Sequence, residues 1–400
     1  MAHETTGSHI EVSGPRDDAD REAFARLDGE SFAVPAADSL RWLMAAKPHT
    51  TLRLARIEGE IAGGYILLPC GQFFGGNAVP AQGVSAVVVH PAFRRRGVAG
   101  ALMRDCVTTV REQGSMLAPL HAATVRLYRR WGWGVCVQTL RQTVRTPGLR
   151  GLAGAGVARR HPDPQAVAAL RSTHLVRWDG PLDRPAWWLQ VEWNVKGSGD
   201  LRFEYGWYED DVLTGYIRYE LERQGPWMLI RVMELIATTP DSLRGLLGFL
   251  GANESQSLET VFVHSALADV SPLLHLLPEP HQELAMSAHI CWMQRIVDVG
   301  GAMRARGWPP HAAGRVDLEV NDPVLGVERF VLEVEGGAAR VTSGGAGQVR
   351  CGIDALSSWY SSVLRAQDAA RLGLLEGDER AIDVMDGLIA GGTAWMPDYF

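Results

Sequence analysis

Apolar side chains recur at Val98, Leu102, Cys106 and Val110, four residues apart. That spacing keeps one face of a helix against a core and predicts a helix over VAGALMRDCVTTVREQG, ended by Gly114. Just before it, VSAVVV (84–89) is a β-branched run that stops at His90-Pro91, so the chain reads as strand, short turn, helix. Upstream, ADREAFARLDGESF and DSLRWLMAA predict two short amphipathic helices, and TLRLARI and IAGGYILLP predict strands joined tightly through Glu58-Gly59-Glu60. MLAPLHAA predicts another strand, followed by ATVRLYRRWGWG.

The segment RTPGLRGLAGAGVARRHPDP is rich in Gly, Pro and Arg and reads as a linker or long excursion. Beyond it the alternation returns. WWLQVEWNVKG predicts a helix, LRFEYGWYE, VLTGYIRYELE and MLIRVMELIAT predict strands, and DSLRGLLGFLGAN predicts a helix. Two internal echoes, IAGGYILLP with VLTGYIRYE and RGVAGAL with RGLLGFL, occur in the same order, which points to duplication with a degenerate second copy. From Cys291 the pattern changes to strands broken by Asn-Asp or Gly-Gly and then helices, an α+β unit. The expected domains are therefore residues 1–150, 151–290 and 291–400.

Composition narrows the function classes. Four hundred residues suit two or three domains, and a formal net charge of −7 does not match a nucleic-acid binder, so any basic role is local. Five scattered cysteines, without a C-x-x-C pair, argue for a reducing compartment and against a structural zinc site. The histidines, among them His90, His121 and His174, show no metal-ligand spacing, so no metal is expected. No apolar stretch approaches a membrane span, and MAHETTGSHIEVSG lacks the apolar centre of a signal peptide. The reading is a cytoplasmic protein with a loose N-terminal tail.

The chemistry concentrates in HPAFRRRGVAGALM. A helix starting at Arg96-Gly97-Val98-Ala99-Gly100 offers unpaired N–H groups and the positive end of a dipole to an anion. Small residues at 97, 99 and 100 admit a ligand close to the backbone. The spacing Arg94-x-x-Gly97-x-Ala99 resembles the pyrophosphate loop of the GCN5-related N-acetyltransferases, and Tyr128-x-x-x-Gly132-Trp133 resembles the motif that follows it in that family.

What the resemblance implies is acetyl-CoA as cosubstrate. Arg94, Arg95, Arg96, Gly97, Val98, Ala99 and Gly100 would hold the diphosphate, with Arg95 and Arg96 on the diphosphate itself and Arg94 toward solvent or the 3′-phosphate. Val87, Val88 and Val89 would pair with the pantetheine arm, and a backbone N–H near Val89 would hold the oxyanion. Ala123 and Thr124 would line the same cleft, and Tyr128 would protonate the departing thiolate. His121 stays open between a pocket residue and a satisfied histidine.

Over the whole chain, an active acetyltransferase domain, a degenerate copy and a C-terminal unit like sterol carrier protein resemble the Eis (enhanced intracellular survival) family. The fold expected is α+β throughout, in that tandem order. The resemblance implies that the Phe400 carboxylate reaches the first domain as general base, with the aromatic tail WMPDYF docked. It also implies a hexamer and a polycationic amine acceptor: aminoglycoside, polyamine or lysine side chain.

Asp28, Glu30, Phe32 and Trp42 fall in the helices expected to rim the acceptor pocket. The second copy, with Ser242-Leu243 in place of Arg94-Arg95 and a turn one residue shorter, is expected to lack a coenzyme A site. Its acids and aromatics, Glu192 and Trp193 among them, would instead shape the pocket or oligomer contacts. Two other classes compete. One is a regulatory or nucleic-acid-binding protein using the three arginines on phosphates. The other is a non-catalytic lipid carrier or scaffold working through its C-terminal domain.

Overall fold

The computed structural model describes residues 9–195, 202–268 and 271–400, in side-chain detail except at residues 189 and 192–195. Of the expected loose tail MAHETTGSHIEVSG, residues 1–8 lie outside that description, as do the side chains of Glu192 and Trp193, whereas Ile10–Ser13 is not loose but a strand paired with Leu54–Ile57. The N-terminal part runs β1 (Ile10–Ser13), α1 (Asp18–Phe32), α2 (Ala36–Ala46), β2 (Thr51–Ile57), β3 (Glu60–Phe74), β4 (Asn77–Val89), α3 (Val98–Glu112), β5 (Leu120–Ala122), α4 (Val125–Arg129) and β6 (Gly134–Arg145). Strands β1-β2-β3-β4 form an antiparallel sheet in that order.

The four-residue spacing on α3 does what it predicted: Val98, Leu102, Cys106 and Val110 are all buried, against Tyr65, Leu67 and Val84 of the sheet. Glu58 (φ 53°) and Gly59 (φ 85°) both turn left-handed between β2 and β3, the geometry of a two-residue hairpin. The β3–β4 hairpin is longer than expected. It continues through QFF and NAVPAQ to a turn at Gly75-Gly76, both left-handed.

The middle part runs β7 (Val157–Arg160), α5 (Pro164–Leu175), β8 (Leu182–Asp183), α6 (Ala186–Val195), β9 (Arg202–Glu209), β10 (Val212–Gln224), β11 (Trp227–Ala237), α7 (Pro240–Gly251), β12 (Glu259–Phe262), two one-turn helices α8 (Leu273–Leu276) and α9 (Pro280–Glu283), and β13 (Leu284–Gln294). The sheet order β5-β13-β6-β12-β11-β10-β9-β7 joins strands from both sides of residue 150. Strand β13 inserts between β5 and β6, so a boundary at 290/291 falls inside a strand built into the first domain's sheet. Main-chain pairing across the copies thus overrides what composition suggested.

The expected linker is not free. A Cβ on Gly248 would lie 1.9 Å from the Leu152 carbonyl, and Gly251 would meet Leu149-Arg150, so this segment packs on the glycine face of α7.

The C-terminal part comprises α10 (Val299–Ala305), β14 (Gly314–Asp322), β15 (Gly326–Glu335), β16 (Ala338–Ser343), β17 (Val349–Gly352), α11 (Ile353–Tyr360), α12 (Ala366–Arg371), β18 (Leu375–Gly377) and α13 (Glu379–Leu388). Its sheet, β16-β15-β14-β17-β18, is covered by helices, and its core is continuous with the first domain's through Trp292, Ile296, Met303 and Ile353. No helix among the described residues is long and apolar enough to cross a membrane.

Candidate active site

Strand β4 is the spine of the site. Up to Val84 its outer edge bonds the chain before β5: Met116 N–H to Pro80 O, Gln82 N–H to Leu117 O and Val84 N–H to Pro119 O, each 2.9 Å. At Ala86 a left-handed residue (φ 49°) makes a β-bulge against β3, and the pairing register shifts there. Beyond the bulge no bond between β4 and the β5 side is described, so the two strands splay. Pairing with β3 resumes through His90 N–H to Ala62 O at 2.9 Å, and by alternation Val89 turns its N–H and C=O away from β3, to the splayed edge. Val88 is core, whereas Val87 and Val89 are half-buried.

The splay continues into a cleft of about 540 Å³ lined by Val89, Phe93, Arg94, Arg95, Gly97–Gly100, Arg104, Leu127, Arg130 and Trp131. Arg95 (φ 63°) and Gly97 (φ 87°) are both left-handed, which turns successive backbone N–H groups to one side before α3 begins. A Cβ on Gly97 would meet nothing closer than 3.7 Å, so its backbone angle rather than crowding calls for glycine. The helix carries no acid in its first turn. The cleft therefore joins a helix N-terminus to four guanidinium groups, which suits a diphosphate and a further phosphate.

Several expectations change here. Arg96 does not line the cleft; it lies over the Phe93 ring, 5.5 Å from the centroid. Arg94 and Arg95 are the members of the triplet that face it. Gly100 does not serve ligand approach alone, because a Cβ there would lie 2.8 Å from the Trp131 ring; the glycine lets Trp131 pack on α3. Ala123 and Thr124 are exposed at the start of α4 and are not part of the lining. Arg104, Arg130 and Trp131 were missed. Arg104 lies 5.0 Å and Arg130 5.9 Å from the Trp131 ring centroid. Arg104 could have been found, because it follows Gly100 by one helical turn.

Tyr128 is buried on α4, edge-on to Trp133 at 6.1 Å, and burial raises its phenol above the ordinary range, so it stays protonated. The Gly132-Trp133 pair that follows has a packing reason. A Cβ on Gly132 (φ 87°) would lie 1.9 Å from Nη1 of buried Arg295, which spans the Trp133 ring and pairs with Asp322 at 2.8 Å. Cysteine chemistry finds no support: burial pushes Cys136 up to about 12, and Cys106 is also raised.

The C-terminal segment threads back into the first domain. Trp395 is buried, with its indole N–H 2.9 Å from the Ser265 carbonyl. The Phe400 ring lies against Gly83 of β4, edge-on to His121 (5.8 Å) and Trp188 (5.7 Å). His121 Nε2 lies 2.7 Å from the Asp398 carbonyl, so the ring donates through Nε2; its Nδ1 is buried without a hydrogen-bond partner. Burial lowers His121 to about 4. It is thus a satisfied histidine on one edge, holding the tail.

Trp42 packs with Trp187 and Val191 between α2 and α6, and Trp187 stacks on Trp188. Trp42 therefore connects to Phe400 through two rings. Phe32 is 46% exposed at the end of α1, and no described contact brings it to the site. Asp28 is raised by burial and accepts from Ser39 Oγ at 2.7 Å.

The second copy explains its own lack of an anion site. There is no shortened turn: Pro240 is already the first residue of α7. The N-cap Thr239 hydroxyl donates to Glu209 at 2.5 Å and Asp241 sits in the first turn, so carboxylates stand where the first copy has arginines. Among the described residues no group of three or more His, Cys, Asp or Glu could hold a metal.

Comparison with known proteins identifies the domains. The acetyltransferase (GNAT) domain family matches residues 15–136, a second acetyltransferase (GNAT) domain family matches 180–296, and the sterol carrier protein domain family matches 299–397. The chain is 27% identical over 355 residues to an uncharacterised N-acetyltransferase of Streptomyces avermitilis, covering 82% of each. It is 29% identical over 313 residues to N-acetyltransferase Eis of Mycobacterium tuberculosis, covering 73% of each. A GCN5-related N-acetyltransferase from Anabaena variabilis superposes with a TM-score of 0.89 at 25% identity, over 98% of this chain and all of that one. Two acetyltransferase domains, the sterol-carrier-protein-like domain and these relatives together show that the chain belongs to the Eis-like GCN5-related N-acetyltransferases, acetyl-CoA-dependent enzymes.

Proposed function

We propose that the first domain binds acetyl-CoA in the β4–α3 cleft and passes its acetyl group directly to an amine of a polycationic acceptor, whether aminoglycoside, polyamine or lysine side chain. The observation that carries this reading is the arginine-lined helix N-terminus that follows β4; Tyr128, outside the cleft lining itself, shares a core cluster with Val84, Val87 and Val89 of that strand, and the Phe400 ring lies on its Gly83. The net charge of −7 and the half-buried Asp28 beside α2 favour a cationic acceptor.

In the proposed reaction the Phe400 carboxylate takes a proton from the acceptor ammonium. The free amine then attacks the thioester carbonyl, forming the C–N bond. The oxyanion accepts from the outward N–H of Val89. As the C–S bond breaks, Tyr128 gives its proton to the coenzyme A thiolate and is reprotonated from solvent, while the extra proton on the newly bonded nitrogen is lost to solvent to leave the neutral amide. Burial keeps the Tyr128 phenol protonated, so the proton is in place, and it is the developing thiolate charge that draws it off.

Arg94 and Arg95, with the N–H groups of Gly97–Gly100, hold the diphosphate, while Arg104 and Arg130 remain for the 3′-phosphate. Val87 and Val89 offer main-chain groups to the pantetheine amides; Val88 anchors the strand. Trp42 belongs to the wall on the acceptor side. The assembly is a hexamer on this reading, which analytical ultracentrifugation checks. The test of function is coenzyme A release across aminoglycosides, polyamines and lysine peptides. Turnover with at least one class, lost in Tyr128→Phe, supports the reading, and no turnover with any defeats it.

A further inference from the structure

Two residues before the terminus, Asp398 is 1% exposed, an unusual place for a carboxylate in a chain-end segment. Its Oδ1 lies 2.6 Å from the Arg184 guanidinium and 3.3 Å from that of Arg171, and its Oδ2 accepts the Leu182 N–H at 2.7 Å. Its backbone carbonyl accepts from His121. Four groups from four places in the chain thus hold one residue: β5 (His121), α5 (Arg171), β8 (Leu182) and the turn into α6 (Arg184).

From Asp398 the contacts close on Phe400 by two routes. Arg184 lies over Trp188, 5.5 Å from its centroid, and Trp188 meets the Phe400 ring. His121 meets the same ring from the other side. Arg171 is also paired with Glu234 of β11, so the clamp on Asp398 is itself anchored to the middle part's sheet.

We propose that Asp398, clamped by Arg171 and Arg184, is the positioning residue for the terminal carboxylate: it fixes the Phe400 ring from two sides, through Trp188 and through His121. The inference rests on the reading of Phe400 as general base. It also gives elements of the catalytically silent middle part a function, since Arg171 and Arg184 both follow the first acetyltransferase domain.

The test compares Asp398→Asn, Asp398→Glu and a chain extended by one glycine after Phe400, on the full-length protein. Two readouts are used: steady-state kinetics, and the rate at which carboxypeptidase A releases Phe400. Asp398→Asn lowers kcat ~10- to 100-fold, the effect of a misplacement near 1 Å, with the acetyl-CoA KM within about twofold. It also speeds Phe400 release at least ~10-fold, and Asp398→Glu recovers part of both. A merely structural lesion would instead raise KM and lower kcat together.

Wild-type kcat and wild-type protection in Asp398→Asn, beside an inactive glycine-extended chain, overturn the clamp and leave the base standing. A fully active glycine-extended chain overturns the base reading and with it the positioning function. If Asp398→Asn does not fold, Arg184→Gln is scored by the same readouts, and wild-type values there also overturn the proposal.

Discussion

Gly83→Ala tests how tightly the terminus must be held. Gly83 sits in β4 opposite Leu68, and its φ is not left-handed, so alanine takes its backbone without strain. The added Cβ would lie 2.9 Å from Cε2 of the Phe400 ring and 3.3 Å from Cδ2 and Cζ. Non-bonded carbons prefer at least ~3.5 Å, so the ring must retreat by about 0.6 Å or more. Trp188 and His121 flank it edge-on, so it cannot simply rotate away.

The carboxylate on the same residue moves with the ring. At ~100-fold in rate per 1 Å of misplacement, kcat falls ~10- to 100-fold, or about 1.4–2.8 kcal/mol. The moving group is the end of the chain rather than packed backbone, so the melting temperature stays within ~3 °C of wild type. The assay is initial-rate coenzyme A release at saturating acetyl-CoA and varied amine, with a thermal melt of the same preparation. Full kcat in Gly83→Ala would refute the argument that the Phe400 ring positions the base. An equal rise in acetyl-CoA KM would show that the change had reached the cofactor cleft instead.

Tyr128→Phe lowers kcat by ~100-fold or more at nearly unchanged acetyl-CoA KM, read in the same assay. Arg94→Ala and Arg95→Ala each raise the acetyl-CoA KM ~10- to 100-fold, the worth of a charge-assisted hydrogen bond, whereas Arg96→Ala, over Phe93, changes it less than ~3-fold. Gly132→Ala destabilises by about 4 kcal/mol or more in urea unfolding, combining ~1 kcal/mol of left-handed strain with displacement of the buried Arg295–Asp322 pair. Acid undocks the tail. Burial holds His121 and His174 at about 4, so between pH ~6.5 and ~4 only the unfolded chain takes up their protons; stability is full above pH ~6.5 and is lost as pH falls, by up to about 3 kcal/mol for each. His174 meets the Trp395 ring and His121 holds Asp398, so carboxypeptidase release of Phe400 rises over that window, and His121→Gln shows a smaller rise.

The parts that were legible in the chain are those set by local rules. The four-residue period of α3, the Glu58-Gly59 hairpin and the strand–turn–helix at 84–100 each follow from periodicity or turn chemistry within a dozen residues. The helix N-terminus beside Arg94 and Arg95 was legible for the same reason. What escaped depends on residues far apart. Insertion of β13 between β5 and β6 joins residues 120–145 with 284–294, and nothing local marks it.

The left-handed Ala86, whose bulge opens the cleft, has a side chain that gives no hint of it. Gly100 reads as a ligand glycine but answers to Trp131, and Gly132 answers to an arginine 163 positions later. Asp398 carries no motif. Its importance appears only when Arg171, Arg184 and His121 surround it.

The most direct test of the account is one reaction: purified protein, acetyl-CoA and a polycationic amine, with both products quantified by mass spectrometry. The account predicts one acetylated amine for each coenzyme A released, with turnover nearly abolished in Tyr128→Phe and in a chain extended by one glycine after Phe400. Coenzyme A release without acetylated amine, or wild-type turnover in both variants, would contradict it.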